Sequence, residues 1–427
     1  MQSDNPTTHA ERLHGASSSI TLRPYPYPYR AMLAICSDLD ETPDRWVYHE
    51  IMRFLNTREI TAMGPGVGLE VGNTIYFDMR PGQYAYWTTD DAGRELARAL
   101  IHSGHIDCLH SYGDLATKRA HAGLALDELS KHGCRLEVWI DHAVAPTNFG
   151  ADIMQGQGDV PGAEAYHADL TCDFGVRYVW RGRVTSVIGQ EVRSSVRSAF
   201  APLHPLASMQ TCAKEAVKRV LARLGSEKYA PHASNRAIFE STLRDGRPVY
   251  EFLRCNPCWK GVGLGATGRE IGMVLTRSML RRLVQRKGVC FLYTHLGKIR
   301  DIDVPFDPPA VEAFQRLAQM QADGKILVWT TRRLLRYLTM REHLVVFATR
   351  EGGRLTLHAR QREGKLFDPA EPSADDLGGL TCYVPDCQTV QMKAFGRTYE
   401  NLPLNPPDET GRRSVTIPWN ALNFPSL

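Results

Sequence analysis

The sequence has no long apolar run. Nothing in it approaches the roughly 20 consecutive apolar residues of a membrane-spanning helix, so no membrane span is expected. The N-terminal stretch MQSDNPTTHAERLHGASSS is polar and lacks the apolar segment of a secretory signal, which makes the cytoplasm the expected location. An excess of either charge is missing too. The 51 Lys and Arg face 47 Asp and Glu, and a net charge of +4 gives no argument for nucleic acid as a partner. Internal repeats and low-complexity tracts are absent. The ten cysteines are scattered, and Cys36, Cys134 and Cys290 lie in apolar stretches, so core thiols are expected rather than a disulfide framework. The pair Cys255-x-x-Cys258 has no second such pair and no nearby pair of histidines, and it reads as a structural loop.

What is present is an alternation of strand-like and helix-like segments. At 427 residues the chain is long for one compact domain, which predicts a large unit and a small one. Residues 1–22 are expected to be flexible, 23–342 to form an α/β domain, and 343–427 to form a small β-rich C-terminal domain. The apolar run 31–36 has the length of a buried strand, and a helical pattern follows Pro43. A Gly-rich excursion, 64–86, contains the β-like piece Thr74-Ile-Tyr-Phe; long insertions of this kind often carry substrate contacts. Helix 90–103, a short strand ending at His110, helix 115–132 and strand 134–140 come next. After a mixed stretch, 150–231, the alternation resumes with helix 268–287, strand 288–294, helix 308–323, strand 325–329 and helix 331–341. Strands separated by helices of this length imply a parallel sheet, and polar residues at several strand ends favour a (β/α) barrel.

The strand ends carry the candidate chemistry. Asp38 and Asp40 follow the first strand, and residues two apart project to one side, so the two carboxylates can share a site and attract a cation. The bland reading makes them solvated loop acids before a helix whose start is marked by Thr42-Pro43-Asp44. His110 and Asp114 are four apart and can meet at one point; the bland reading of His110 is a hydrogen-bonded structural residue. The next strand ends in Asp141-His142, and a later one in His295. Three successive apolar strands thus deliver metal-type side chains at their C-terminal ends.

With these motifs the chain resembles the NodB-homology polysaccharide deacetylases, carbohydrate esterase family four and its relatives. Ser37-Asp38-Leu39-Asp40 is similar to the family's first motif in its Asp-x-Asp form. Gly104-His105 followed by His110-Ser111-Tyr112-Gly113-Asp114 resembles the second, with Asp114 in place of a histidine. Phe291-Leu-Tyr-Thr-His295 resembles the late motif. The resemblance covers about residues 29–340 and implies a distorted or seven-stranded NodB-like barrel. It also implies a hydrolase that removes acetyl groups from an N-acetylated, or O-acetylated, carbohydrate. It implies Asp38 as general base, Asp40, His110 and Asp114 as ligands of a divalent metal, zinc above all, and His295 as general acid. The family's third motif carries an Arg that pairs with the base. Here Trp139-Ile-Asp141-His142 stands in its place, so control of Asp38 falls to His142. Trp180 is a candidate for the family's Asp-and-Trp motif.

Two other readings stay open. Asp38-Leu-Asp40-Glu-Thr42 also fits the Asp-x-Asp-x-Thr signature of haloacid-dehalogenase-type phosphatases, with Lys298, Asp301 and Asp303 as the remaining parts. The third is a non-catalytic barrel that binds a glycan. The sequence leaves the sugar, the metal and the oligomeric state open.

Overall fold

The computed structural model describes residues 18–143, 145–192, 205–226, 229, 234–257, 267–351, 353–362, 374–385 and 389–426. Two compact units divide the chain: one holds Pro28–Thr339 with Asn420–Leu427, the other Met1–Tyr27 with Met340–Trp419. Among the described residues no helix is long and apolar enough to cross a membrane.

The larger unit is built on a curled, half-barrel parallel sheet. Its centre is Ala31–Ser37, buried along its whole length. A strand covered on both faces needs apolar side chains at every position, which is why this segment reads as a continuous run without alternation. Val289–Thr294 pairs with it in parallel on one side. On the other side Ile326–Val328 takes its first half and Asn73–Ile75 its last residue. From Asn73–Ile75 the parallel sheet continues through Ile106–His110, Val138–Ile140, Tyr178–Trp180 and Pro248–Phe252. Beyond Leu253 the last of these resumes as Arg254–Cys255, which pairs with Val289–Thr294 and with Val184–Thr185. Ile238–Thr242 runs antiparallel in this sheet, as a hairpin with Pro248–Phe252.

Local signals place the helices between these strands. Asp44 caps Arg45–Asn56 by accepting from Val47 N at 2.9 Å, and Asp90 caps Asp91–His102 by accepting from Gly93 N at 2.8 Å. Asp307 caps Pro308–Ala322, with proline in the first turn. The helix expected over 268–287 is two pieces, Ile271–Val274 and Arg277–Arg286, because Thr276 is extended and caps the second. Phe54, Phe306 and Phe314 pack edge-on or stacked at 5.3 to 6.2 Å between ring centroids. Aromatic pairs of this kind add about 0.5–1.5 kcal/mol each beyond their burial.

The smaller unit is β-rich. Leu344–Glu351 and Arg354–Gln361 form the hairpin read around Gly352-Gly353, of which Gly352 lies outside the described residues. Val346 and Leu357 of this hairpin pack with Met392, from the adjoining strand Thr389–Ala394, in a separate core. The N-terminal boundary differs from the one expected, and residues 420–427 group with the larger unit. Ser18–Ser19 is a strand edge paired with Leu344–Glu351, and Leu22 bridges Cys382, so 18–22 belong to this unit rather than to a flexible leader. Arg23 is also part of it, buried and bonded to Asp408 at 3.1 Å. Residues 1–17 lie outside the described residues.

Candidate metal centre

Asp38 is the first residue past the central strand and is only 1% exposed, which rules out the solvated-loop reading. Its backbone N–H donates to Thr294 O at 2.9 Å, fastening it to the neighbouring strand. Its carboxylate accepts both arms of the Arg254 guanidinium, Nη1 to Oδ2 at 2.8 Å and Nη2 to Oδ1. Arg254 is itself wholly buried. Its guanidinium carbon lies 4.2 and 4.4 Å from the ring centroids of Trp180 and Tyr293, and its Nε and Nη2 donate to Cys36 Sγ at 3.2 and 2.9 Å. Burial alone would push the Asp38 carboxyl up. The Arg254 charge beside it outweighs that and holds it below the ordinary carboxylate value.

Asp40 gathers two histidines. Its Oδ2 lies 3.1 Å from His110 Nε2, and its Oδ1 lies 2.9 Å from His142 Nε2. One donor atom from each of Asp40, His110 and His142 falls within 4.8 Å of the other two. The backbone marks the same three residues. Each is followed by a non-glycine residue in the left-handed region: Glu41 at φ 59°, Ser111 at φ 53° and Ala143 at φ 42°. That conformation costs about 1–2 kcal/mol per residue, and it persists where the surroundings over-determine it, characteristically at functional sites. In all three cases the chain turns as soon as the side chain has been delivered to the strand end.

Asp114, expected as a ligand, belongs to no such group among the described residues. Its Oδ1 is 3.0 Å from His142 Nδ1, the outer ring nitrogen, in a close but poorly aligned contact. The four-residue spacing from His110 does not bring it in, because 111–114 is irregular. Ser111 and Gly113 are both left-handed, and a Cβ on Gly113 would come within 2.2 Å of Asp78 O. His142 was expected as the partner of Asp38. The structure places it on Asp40 and gives Asp38 to Arg254.

His295 sits at the end of Val289–Thr294 with Nε2 3.9 Å from Asp38 Oδ2 and from Asp40 Oδ2. Burial lowers its pKa despite the two carboxylates. Asp38, Asp40 and His295 also form a group that could hold an ion. Both oxygens of Asp38 are already committed to Arg254, however, and a guanidinium beside a cation is repulsive, which favours the Asp40, His110 and His142 group. Two imidazoles and a carboxylate suit zinc and other first-row divalent ions. The outer nitrogens are also positioned: His110 Nδ1 lies 3.3 Å from Ile140 O, and His142 Nδ1 faces Asp114. Orientation of this kind is what ligating histidines require.

The loop carrying His142 is shaped by Asp141, which accepts from Trp139 Nε1 at 2.7 Å, Phe149 N at 2.9 Å and Gly150 N at 2.8 Å. Burial nevertheless raises its pKa to about 7. His142 is opposed by burial, but Asp114 and Asp40 on its two nitrogens raise its pKa to about 10 in the ion-free protein. A folded pKa above the unfolded value of about 6.5 stabilises the ion-free fold fully below that pH, and the contribution fades as pH rises towards 10. An ion must also displace this proton at pH 7. Calorimetric zinc titration in buffers of different ionisation enthalpy should therefore show release of about one proton per ion, and an enthalpy independent of buffer would contradict the assignment of His142.

Of the parts named for a phosphatase, Asp301 and Asp303 are exposed, and Lys298 Nζ pairs with Glu41 at 3.0 Å. Cys255 is buried in the apolar core, and Cys258 lies outside the described residues. Arg254 escaped the sequence reading, which took its neighbourhood for a cysteine loop. The available signal was an arginine closing the strand-like run Val249-Tyr-Glu-Phe-Leu-Arg254. No protein-family model, curated protein or solved structure matches the chain.

Proposed function

We propose that the protein is a metal-dependent hydrolase that removes acetyl groups from an N-acetylated carbohydrate, on a seven-stranded barrel of the NodB type. The observation that carries the reading is the buried Asp38–Arg254 pair beside the three-donor group of Asp40, His110 and His142. Both lie at the C-terminal rim of a parallel sheet, which is where α/β folds place their chemistry. The seven-stranded reading is supported by the resumption of Pro248–Phe252 as Arg254–Cys255, since together they span from Tyr178–Trp180 to Val289–Thr294.

Asp40, His110 and His142 would hold the ion, with zinc the best match to their chemistry. A bound divalent ion supplies Lewis acidity and lowers the pKa of water to about 7. Arg254 keeps Asp38 ionised, so that it can accept a proton at neutral pH. His295, within 3.9 Å of both carboxylates and with its pKa lowered by burial, would carry that proton to a departing nitrogen.

Acetate release from N-acetylglucosamine oligomers, with and without a chelator, tests the reading. Asp38→Asn should retain the ion and lose turnover, because a base is removed and no ligand is. His295→Ala should slow an N-acetylated sugar by about 10²- to 10⁴-fold and p-nitrophenyl acetate far less, since the phenolate leaves without protonation. No acetate from any N- or O-acetylated sugar by ion-loaded protein would sink the proposal. Equal losses on both substrates in His295→Ala would deny His295 the role of acid.

A further inference from the structure

The excursion over 64–86, which the chemistry above leaves unused, reaches back into the site. Tyr76 follows Asn73–Ile75 directly and is fully buried. Its ring contacts both imidazoles of the ion-binding group, stacked on His110 at 5.9 Å with 24° between planes and tilted to His142 at 6.0 Å. Its hydroxyl donates to Gln83 Oε1 at 3.0 Å. The same oxygen accepts from the backbone N–H of Glu41 at 3.3 Å. Glu41 is the left-handed residue immediately after Asp40.

We propose that Tyr76, anchored by Gln83, is the positioning residue that sets all three donors at once, the two histidines through its ring and Asp40 through the Glu41 turn. This inference rests on the reading of Asp40, His110 and His142 as ion ligands.

Other contacts show how tightly the turn is boxed in. Thr42 N donates to Leu39 O at 3.0 Å, and Tyr84 N donates to Thr42 O at 2.8 Å, tying the turn to the excursion. On the opposite side Gly297 is so close that a Cβ there would come within 1.8 Å of Thr42 Oγ1. Lys298 holds the Glu41 carboxylate at 3.0 Å. Glu41 has no short side chain with which to stabilise a left-handed backbone locally, as Asn or Asp can. Its conformation therefore depends on such contacts, of which the bond to Gln83 is the one linked to the histidines. Tyr86 N to Tyr76 O at 3.0 Å and Trp87 N to Phe77 O at 2.9 Å close residues 76–87 into a loop whose two ends are fixed to each other.

The test uses the full chain and Co(II) alone, following affinity by titration and the ligand-field absorption of the bound ion. Tyr76→Phe keeps the ring and deletes the hydroxyl. Gln83→Ala deletes the acceptor. Each should weaken Co(II) binding by about 10–100-fold, as loss of outer support for ligands does, and should shift the absorption bands. The double variant should be no weaker than the worse single one, since both changes break one chain of contacts. Gln83→Glu keeps an acceptor oxygen and should restore affinity and bands towards the wild type. Gln83 is only partly buried, so its variants carry the test if Tyr76→Phe fails to fold. Wild-type affinity and bands in Gln83→Ala would overturn the inference while leaving the metal centre standing. A wild-type chain that binds no Co(II) would overturn both.

Discussion

Replacing Arg254 with methionine will leave Asp38 as a buried carboxylate with no countercharge, and both stability and turnover will fall. The pair is fully enclosed, with Arg254 at 0% and Asp38 at 1% exposure. Removing one partner of such a pair costs about 3–5 kcal/mol, because the other charge keeps its desolvation penalty and loses its compensation. Asp38 will respond by taking up a proton. Its pKa, now held low by Arg254 against the effect of burial, will rise above the ordinary carboxylate value. The acidic limb of the pH–rate profile will move to higher pH, and the carboxyl will be unable to accept a proton until it ionises. Arg254→Lys keeps the charge but not the fork that serves both Asp38 oxygens and the Cys36 sulfur, so it should recover only part of the loss. The double variant Arg254→Met with Asp38→Asn should regain much of the stability and none of the activity. Denaturant unfolding of the four proteins separates these outcomes. An Arg254→Met variant as stable and active as wild type would mean that Asp38 is held by something else.

His142→Ala will abolish ion binding, whereas Asp114→Asn will only weaken it, by about 10–100-fold. His142 presents Nε2 to the space shared with Asp40 and His110, and Asp114 stands behind it on the outer nitrogen. Removing the imidazole leaves two donors, too few to hold a divalent ion against water. Removing the Asp114 charge leaves three donors, one of them less well oriented and less basic. In Asp114→Asn the pKa of His142 will also fall from its value near 10, since one of the two carboxylates raising it is gone. Fewer protons are then displaced on ion uptake, and the pH dependence of affinity becomes shallower. Zinc content after dialysis, with calorimetry for the weaker variant, measures both. An ion retained by His142→Ala and lost by Asp114→Asn would restore the ligand set that the family resemblance implies and refute the one proposed from the geometry.

Asp38, Asp40, His110, His142 and His295 were legible in the sequence because a buried parallel strand leaves a plain trace. An unbroken apolar run ends where the chain meets the rim, and a polar residue at that point is conspicuous. The same local logic made the helix start at Thr42-Pro43-Asp44 visible, since a cap involves residues three apart. Roles were another matter. Asp38 and Arg254 are 216 residues apart, and only strand pairing across the sheet brings them together. No periodicity near Arg254 records that a carboxylate lies opposite. Whether His142 or Asp114 joins Asp40 and His110 turned on the backbone after each strand, where Ser111, Gly113 and Ala143 take left-handed conformations. Two of those three are not glycine, so composition gave no warning. The contact of Tyr76 with two imidazoles likewise arises from packing between neighbouring strands. Strand ends are set by local hydrophobic pattern, and so a single sequence announces them; which side chain each one meets is set by register and by turns that non-local contacts impose, and so only the folded chain decides it.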